Sequence, residues 1–303
     1  MNNTPFFFES YWKQYIIERM ITYYNYKYIK DLSYDNNNIL SVILLFQDEN
    51  NNNVLRGNYD NDGIYFPLMK DIKLNNIHLK KRVSKIKEIY DYIFNIIDEY
   101  SIKNTKIYQF PYYDIILRHN ILDLIDIKSK YVLNQGILNN FDNNLELQFT
   151  YNTRNIINKY NKKKIFDNVE FKIYFGEIPD IVFDNFVKKY KTFDLCKKEE
   201  WLYKYFKPLI LEKKAYLIEA NNNYIIFTFS ENFSTYLLNA IDKENPIINI
   251  MLYKGINFAF DNGSCFFWLN NYHTEYNNEK NKNIARFKFN FCNLISNNYY
   301  YSV

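Results

Sequence analysis

The spacing of hydrophobic and polar residues predicts alternating helices and strands in the first half of the chain. Apolar side chains recur every three or four positions over residues 9–31 and 79–100, which indicates two amphipathic helices. Between them, apolar runs separated by Asn- and Asp-rich clusters are typical of short strands. We predict strands at Ile39–Gln47, Val54–Gly57, Gly63–Pro67, Lys106–Phe110 and Lys130–Leu133, and a helix at Tyr112–Ile121.

The second half shows the same mixture of patterns. Helical periodicity runs from the Asp142–Asn144 cluster to Lys164, and apolar alternation indicates strands after it. Predicted helices are a segment starting at Pro179, Glu199–Glu212 and a run from Pro246 to Gly255; predicted strands are Val169–Phe175, Tyr216–Ala220, Tyr224–Phe229, Phe233–Asn239, Ile256–Phe260 and 286–289. We therefore predict an α+β protein of two subdomains, residues 1–138 and 139–303, without a sequence repeat between them.

Composition indicates a globular protein and narrows the classes of function. The 303 residues are 48% hydrophobic and 24% charged, which is enough apolar surface for a sizeable core. Aromatic residues reach 20%, and we interpret this excess, like the abundance of Asn and Lys, as a general bias. A net charge of +4 is too small to indicate a dedicated nucleic-acid binder, so we expect no DNA partner.

The cysteines, the histidines and the N-terminal residues indicate no disulfide scaffold, no metal site and no secretory leader. The three cysteines form no CxxC pair and the three histidines no HxxxH spacing, so neither a disulfide scaffold nor a metal site is predicted. The sequence shows no secretory leader pattern and no apolar run long enough to cross a bilayer. We therefore expect a cytoplasmic protein without a transmembrane segment.

The order of elements from Tyr216 to Phe260 resembles that of the GNAT acyltransferase fold. In that fold the sheet splays after its central strand, and the gap exposes backbone groups to an acyl donor. A glycine-containing loop before the next helix holds the CoA pyrophosphate, but Ala240–Pro246 has no glycine. The resemblance therefore implies either a donor other than acyl-CoA or a different way of binding it.

Several motifs resemble the FemAB family, the non-ribosomal peptidyltransferases of peptidoglycan cross-bridges, and its GNAT-fold relatives. The shared features are a proline-started helix ending in glycine, a strand ending in a DLGG-like turn, a Phe-Lys pair and a basic R-x-x-I-x-K helix. Here they are Pro246, Gly255, Phe260–Gly263, Phe287–Lys288 and Tyr151–Lys159, which span about 150 residues. The resemblance implies two tandem GNAT-like subdomains with mixed sheets flanked by helices.

Departures from the family pattern narrow what the resemblance implies. Asn262 and Ser264 replace residues of the DLGG-like turn, and no glycine follows the Phe-Lys pair. Heptads long enough for the coiled-coil hairpin that some members use for tRNA are missing. The pattern therefore favours a short FemAB-like acyltransferase over a typical tRNA-dependent glycyltransferase.

Two residues are candidates for catalysis. Lys288 stands between two phenylalanines of an apparent strand; it is either a surface lysine or an ammonium that stabilises developing negative charge. Asp261 follows an apparent strand at a turn; it is either a turn former or a carboxylate that accepts a proton from, or orients, an attacking amine.

Five further residues are candidates for substrate binding. Arg286 offers a fork for an anionic acceptor, and Phe287 belongs to the same motif. Arg154 and Lys159 lie on the basic helix, where a phosphorylated substrate or the helix dipole accounts for the charge equally well. Tyr253 lies in the helix before the DLGG-like turn, where a core position is the alternative.

The sequence therefore predicts transfer of an acyl or aminoacyl group to an amino group of a cell-envelope or surface-glycan precursor. The amine attacks directly, without a covalent enzyme intermediate. Acyl-CoA and aminoacyl-tRNA are the possible donors, with little support for tRNA, and no tightly bound cofactor is expected. The alternative is a non-catalytic binding protein on a degenerate acyltransferase scaffold, which the missing glycines and the altered turn favour.

Overall fold

A computed structural model of the chain describes residues 10–35, 39–57, 63–65, 68–69, 79–108, 131–139, 145–193, 197–231, 233–242, 246–272, 286–292 and 294–302. The chain divides into two compact units. The N-terminal unit extends to Asn134 and also takes in the chain from Ser296 onward, and the C-terminal unit comprises Gln135–Ile295. Both units combine helices with strands, which confirms the predicted α+β class.

The N-terminal unit contains three small groups of strands among the residues described. Strands β1, β4 and β5 form one antiparallel sheet, and β2, β3 and β7 another. In the third, β8 pairs in parallel with β6 and antiparallel with β15, the last strand of the chain. The elements are α1 (Ser10–Tyr24), β1 (Lys27–Asp31), β2 (Tyr34–Asp35), β3 (Ile39–Ser41), β4 (Leu44–Gln47), β5 (Asn53–Arg56), β6 (Gly63–Tyr65), β7 (Leu68–Met69), α2 (Leu79–Glu99), β8 (Lys106–Tyr108) and β15 (Leu294–Ser302).

The first predicted helix is shorter than its periodicity indicates. Helix α1 ends at Tyr24, because Asn25 has φ 52° and so takes the left-handed conformation that ends many helices. Residues Lys27–Asp31, predicted as helix, instead pair with β4 as a strand. The predicted helix Tyr112–Ile121 lies outside the described residues.

Two glycines let the backbone of the N-terminal unit pack closely. A Cβ atom on Gly63, the first residue of β6, would lie 1.8 Å from the carbonyl oxygen of Lys106 in β8. A Cβ atom on Gly57 would lie 2.0 Å from the carbonyl oxygen of Val42. The Gly57 N–H donates to the Gly63 carbonyl at 3.0 Å, so these glycines permit direct backbone contact at this end of the parallel pair.

The C-terminal unit contains four consecutive antiparallel strands followed by a parallel one. Strands β10, β11, β12 and β13 pair in that order, and β13 pairs in parallel with β14. The elements are a 3₁₀ turn (Leu145–Gln148), α3 (Tyr151–Asn161), β10 (Lys172–Tyr174), α4 (Asp180–Lys191), α5 (Glu199–Trp201), a π-helix (Leu202–Phe206), α6 (Lys207–Leu211), β11 (Ala215–Ala220), β12 (Asn223–Thr228), β13 (Phe233–Ala240), α7 (Ile247–Asp261) and β14 (Phe266–Tyr272). Strand β9 (Tyr131–Asn139) spans the boundary between the units.

Helix α7 continues through Gly255, so the predicted helix end and the predicted strand Ile256–Phe260 were wrong. A Cβ atom on Gly255 would lie 2.6 Å from the ring of Phe227 in β12, and the buried Tyr216 hydroxyl donates to the Gly255 carbonyl at 2.7 Å. The glycine therefore lets the helix pack closely on the sheet and does not terminate it. The core of this unit lies mainly between α7, α3 and the sheet.

Both units use a similar order of elements around a parallel strand pair. In the N-terminal unit the order is β4, β5, β6, β7, α2 and β8, in which β7 pairs with β3 in another sheet, and in the C-terminal unit it is β11, β12, β13, α7 and β14. The helix in each case connects the two parallel strands. The duplication is therefore structural, since the sequence shows no repeat.

Candidate active site

A gap opens between two parallel strands of the C-terminal unit. The ladder between β13 and β14 covers three residue pairs, Phe233–Thr235 with Phe266–Trp268. Strand β13 continues to Ala240 and β14 to Tyr272, so their later residues have left this ladder. Backbone groups that leave a ladder need other partners, which a ligand can supply. The diverging ends of β13 and β14 are therefore the candidate active site.

Hydroxyl groups hold the two strands together where they begin to diverge. Ser264, between α7 and β14, shares a 2.7 Å hydrogen bond with Ser234 of β13 and donates to the Ser230 carbonyl at 2.5 Å. Thr235 donates to the Trp268 carbonyl at 2.8 Å. All four hydroxyl-bearing residues are buried, where an unbonded hydroxyl is costly. We call Ser230, Ser234 and Ser264 the serine clamp.

A bulge interrupts β13 beside the gap. The register between β12 and β13 changes between the pairs Ile226–Leu238 and Phe227–Tyr236, so β13 has one extra residue, Leu237, at this point. Bulges redirect backbone groups and are common next to active sites. The bulge lies in the strand that borders the end of the parallel ladder.

A half-buried lysine is bonded to the residues that follow β13. Lys189 of α4 lies 2.9 Å from the Asp242 carboxylate and 3.2 Å from the side-chain oxygen of Asn223. The same Asn223 oxygen accepts the Asp242 backbone N–H at 3.0 Å. The N-terminus of α7, which begins at Ile247, has no side-chain cap.

Residues 286–289 form a helical turn, and the strand predicted there was wrong. Phe287 and Phe291, four residues apart, contact with ring centroids 5.5 Å apart, and Phe291 is buried. Lys288 is half-buried near Cys292: burial raises the pKa of that thiol to about 12, and the Lys288 charge acts in the opposite direction. Lys288 therefore does not alternate with its phenylalanine neighbours across a sheet.

Aromatic rings connect this turn with α7. The ring of Phe149 lies 5.6 Å from that of Phe291 and 6.1 Å from that of Tyr253, between centroids. The Tyr253 hydroxyl donates to the Glu146 carboxylate at 3.3 Å, and burial raises its pKa. The structure thus brings the predicted residues Tyr253 and Phe287 to one aromatic cluster.

The start of α3 is bonded to the same turn. The Thr150 N–H and hydroxyl donate to the Asn290 carbonyl at 3.0 and 3.1 Å. Arg154 lies one turn further along α3, and its buried Nε has no hydrogen-bond partner among the described residues. Arg286 is exposed in the turn. The helix that carries Arg154 therefore begins beside the Phe-Lys turn, and the assignment of Arg154 to a substrate site stays a prediction.

Asp261 and Lys159 lie apart from this cluster. Asp261 is the exposed last residue of α7 and not a residue at a sheet edge, so the structural reason for assigning it to catalysis was wrong. Its carboxylate also lies at a helix C-terminus, where negative charge is unfavourable. Lys159 is exposed in the last turn of α3. Their assignment to the site stays a prediction.

Sequence reasoning missed the residues that shape the gap. The clamp joins Ser234 with Ser264, thirty positions apart, and Lys189 is 53 positions from Asp242. Neither pair forms a motif, because the partners come from different elements. The available signal was Ser264 itself, which replaces a glycine of the DLGG-like turn and uses its hydroxyl in the clamp.

Neither a metal site nor a membrane-spanning helix is found within the described part of the chain. No three His, Cys, Asp or Glu side chains there are grouped so that they could hold a metal ion. No helix among the same residues is both long and apolar enough to cross a membrane.

Comparison with known proteins shows similarity in structure. No family model matches the sequence, and no curated protein matches it. The crystal structure of FemX has a TM-score of 0.62 at 11% identity and aligns over 99% of this chain and 93% of FemX. L-PGS from Bacillus licheniformis gives a TM-score of 0.54 at 10% identity, over 91% of this chain and 83% of that protein.

A third structure is similar over much of the chain. The C-terminal domain of a putative lysylphosphatidylglycerol synthetase from Agrobacterium fabrum has a TM-score of 0.53 at 10% identity, covering 85% of this chain and 83% of that domain. Identities this low establish the fold and leave the chemistry open. The predicted fold of two GNAT-like subdomains is confirmed, and the chain has the fold of FemX.

Proposed function

We propose that this protein transfers an acyl or aminoacyl group to an amino group of a cell-envelope precursor. The observation that carries the proposal is the gap between β13 and β14, fixed at one end by the serine clamp and bulged at Leu237. The fold of FemX over 99% of the chain supports the reaction class. The synthetase from Agrobacterium fabrum supports an aminoacyl group, because its name describes a lysine-bearing membrane lipid.

The gap suits direct transfer. An amine placed beside a bound acyl carbonyl attacks it, and backbone N–H groups near the bulge stabilise the negative charge that develops on the oxygen. The bond between the carbonyl carbon and the donor's oxygen or sulfur breaks, its electron pair stays with that atom, and the departing donor takes up the proton that the amine loses. In this proposal the Lys288 ammonium adds positive charge, while Arg154 and Arg286 hold an anionic part of a substrate.

The loop after β13 favours a donor other than acyl-CoA. It contains Asp242 and Glu244 and no glycine, and Asp242 is already bonded to Lys189. The loop therefore counts against acyl-CoA bound in the usual way, and acyl-CoA and aminoacyl-tRNA both stay candidate donors. Location on the cytoplasmic side, where both donors are made, stays a prediction.

A donor screen by thermal unfolding and turnover tests the proposal. Acyl-CoAs and aminoacyl-tRNAs are added separately to the full chain, and a donor that binds the native state raises Tm. We expect stabilisation by one donor class and transfer to an amine-bearing envelope precursor. The proposal would be contradicted if no donor raised Tm and no donor supported transfer.

Substitution of Lys288 tests the site within that assay. We expect Lys288→Ala to lower turnover about a hundredfold, the scale of losing one charge-stabilising group, with an unchanged unfolding midpoint. The control is Lys188→Ala, which removes an exposed lysine of α4 and should leave turnover unchanged. Equal turnover of both variants would remove Lys288 from the site.

Binding without transfer is the second candidate function. The glycine-free loop and the serine in the DLGG-like turn favour it, because both differ from what an acyl-CoA site requires. Stabilisation by a donor without turnover on any amine would support this candidate and exclude the enzyme.

A further inference from the structure

Strand β13 is attached to different extents along its two edges. Its antiparallel ladder with β12 runs to the pair Tyr224–Ala240, at the last residue of the strand, whereas its parallel ladder with β14 ends at Thr235. The strand therefore stays with β12 while it leaves β14. Whatever holds the far end of β13 against β12 contributes to the gap between β13 and β14.

A side-chain network continues this attachment beyond the last backbone pair. The side-chain oxygen of Asn223, the first residue of β12, accepts the backbone N–H of Asp242 at 3.0 Å. The Asn223 side-chain amide donates to the Asn221 carbonyl at 2.9 Å, which fixes the orientation of the amide group. Asp242, two residues past the end of β13, is thus bonded to the start of β12.

Lys189 of α4 joins both partners of this bond. Its ammonium donates to the Asn223 side-chain oxygen at 3.2 Å and to the Asp242 carboxylate at 2.9 Å. Asp242 is therefore held twice, by its backbone N–H through Asn223 and by its carboxylate through Lys189. A movement of Asp242 away from β12 would break both bonds.

The burial of the three residues shows which of them is built into the fold. The Lys189 side chain is only 10% exposed and Asn223 only 1%, whereas the Asp242 side chain is 63% exposed. A nearly buried ammonium without a partner is costly, because little water is left to solvate it. The lysine is thus the fixed member of the pair, and the aspartate after the end of β13 is the member that it holds.

A second lysine of the same unit forms a similar pair in a different place. Lys207 of α6, whose side chain is 19% exposed, is bonded to the exposed Asp180 carboxylate of α4. That pair joins two helices, whereas the Lys189 pair ends at the strand that borders the gap. The two pairs therefore separate a general contribution to stability from an effect on β13.

We propose that Lys189 is a positioning residue for the acyl donor: through Asn223 and Asp242 it holds the far end of β13 on β12 and so keeps the gap beside β14 open. The inference rests on the proposed function, because it takes the gap as the place where the donor binds. Lys189 acts through these two residues and does not contact the reacting groups. A donor then meets a strand whose end is already fixed, so binding requires less ordering of the protein.

Hydrogen exchange of the full chain, measured without any ligand, tests the attachment. Lys189→Met removes the charge and keeps an unbranched side chain, and we expect it to speed exchange of the amides of residues 238–242 about tenfold. Amides of β11, which does not pair with β13, should keep their rates. Lys189→Arg keeps the charge and should restore slow exchange.

A second variant covers the case in which Lys189→Met does not fold. Asp242→Asn changes only an exposed side chain and should also speed exchange at residues 238–242, because the lysine loses its carboxylate partner. The matched control is Lys207→Met, which removes the charge of the pair between α6 and α4. It should leave exchange at residues 238–242 unchanged.

Kinetics with the donor identified by the screen test the consequence for binding. Lys189→Met should raise KM for the donor about tenfold and leave kcat within about threefold, since the lysine contacts no reacting group. Lys189→Arg should return KM towards its original value, and Lys207→Met should not change it.

The proposal would be overturned by unchanged exchange at residues 238–242 in both Lys189→Met and Asp242→Asn, by equally faster exchange throughout the unit, or by the same local effect in Lys207→Met. A lowered kcat with an unchanged KM would also overturn it. If the unmodified protein transfers no acyl group, the proposed function fails, and with it the role for a donor. The exchange result still decides whether Lys189 holds β13, so the two failures are distinguishable.

Discussion

The parallel strand pairs of the two units stand in a similar order of elements and differ in how they are held. In the N-terminal unit, the described ladder between β6 and β8 covers three residue pairs, and Gly63 brings the two backbones into contact. In the C-terminal unit, β13 and β14 pair only at their beginnings, where the serine clamp and Thr235 join them by side chains. Close backbone packing joins the first pair, and side-chain hydrogen bonds join the second.

The two pairs differ in what fixes the distance between their strands. Backbone packing through glycine fixes strands at one distance, because nothing between them can adjust. Hydroxyl groups tie the strands at one point and leave the rest of each strand able to separate. The unit with the side-chain clamp is the unit that carries the gap and the family motifs, so we expect changes at the two pairs to have different effects.

Substitution of Gly63 should have the largest effect. Gly63→Ala places a Cβ atom 1.8 Å from the Lys106 carbonyl oxygen, and we expect unfolding of the N-terminal unit to become easier by about 3 kcal/mol or more. Gly263→Ala is the control: Gly263 has φ +100° but no atom within 4 Å of an added Cβ, so the cost should be near 1 kcal/mol. Urea unfolding measures both, and equal costs would refute backbone contact as the cause.

Loss of the serine clamp should have the next largest effect. Ser264→Ala leaves the Ser230 carbonyl and the Ser234 hydroxyl without their bonds to this residue, which should cost about 2 kcal/mol in urea unfolding. Ser234→Ala should then cost about 1 kcal/mol less in the Ser264→Ala background than in the unmodified protein. Additive costs would show that the two serines do not act as one clamp.

Removal of the Tyr216 hydroxyl should have a smaller effect. Tyr216→Phe deletes the buried 2.7 Å hydrogen bond to the Gly255 carbonyl, and we expect a loss of about 1 kcal/mol in thermal or urea unfolding. Tyr253→Phe is the matched control. It removes a hydroxyl of α7 whose hydrogen bond to Glu146 is longer, at 3.3 Å, and whose side chain is less buried. It should cost less than Tyr216→Phe, and a larger cost would contradict the importance of the contact at Gly255.

The smallest expected effects are on the pH dependence of stability, which should differ between the two units. Burial, with the Asp184 carboxylate, raises the pKa of Tyr203 in the C-terminal unit to about 12, so the unfolded chain loses this proton first. The stability that this pKa shift contributes is fully present below about pH 10 and is lost as pH rises towards 12. Tyr203→Phe should reduce this alkaline loss, measured as the unfolding midpoint against pH.

An aspartate of the N-terminal unit should show the opposite dependence. Burial raises the pKa of Asp31, but hydrogen bonds from Ser33 and Lys13 outweigh burial and lower it overall. Its contribution is present above the unfolded pKa of about 4 and is lost as pH falls through the lower folded value. Asp31→Asn should reduce the loss of stability in acid and leave the alkaline side unchanged; an altered alkaline side would contradict the assignment.

Long periodic segments were predictable from the sequence, and segments decided by tertiary contacts were not. Helix α2 and the strands β11, β12 and β13 lie within one or two residues of their predicted positions, because their patterns extend over many residues. Gly255 was interpreted as a helix end, since glycine is common there, but the ring of Phe227 in a distant strand determines its role. The residues next to Gly255 in the sequence do not indicate such a contact.

The candidate site was predictable only in part, for a similar reason. The alternation of Phe and Lys at residues 286–289 fits a strand or a helix, and the contact between Phe287 and Phe291 decides for the helix. Among the candidates, Tyr253 and Phe287 pack against the same core, and Thr150, at the start of the helix that carries Arg154, is hydrogen-bonded to Asn290. The serine clamp and Lys189 depend on pairs that only the folded chain brings together.

The last strand of the chain belongs to its first unit. Residues Tyr300–Ser302 of β15 pair with Lys106–Tyr108 of β8, almost 200 positions earlier. During synthesis on the ribosome, the C-terminal unit up to Ile295 therefore has its full sequence available before the N-terminal unit does. The N-terminal unit therefore completes its pairing after the C-terminal unit has been synthesised, and the β8 edge stays unpaired on that side until Tyr300–Ser302 have been made.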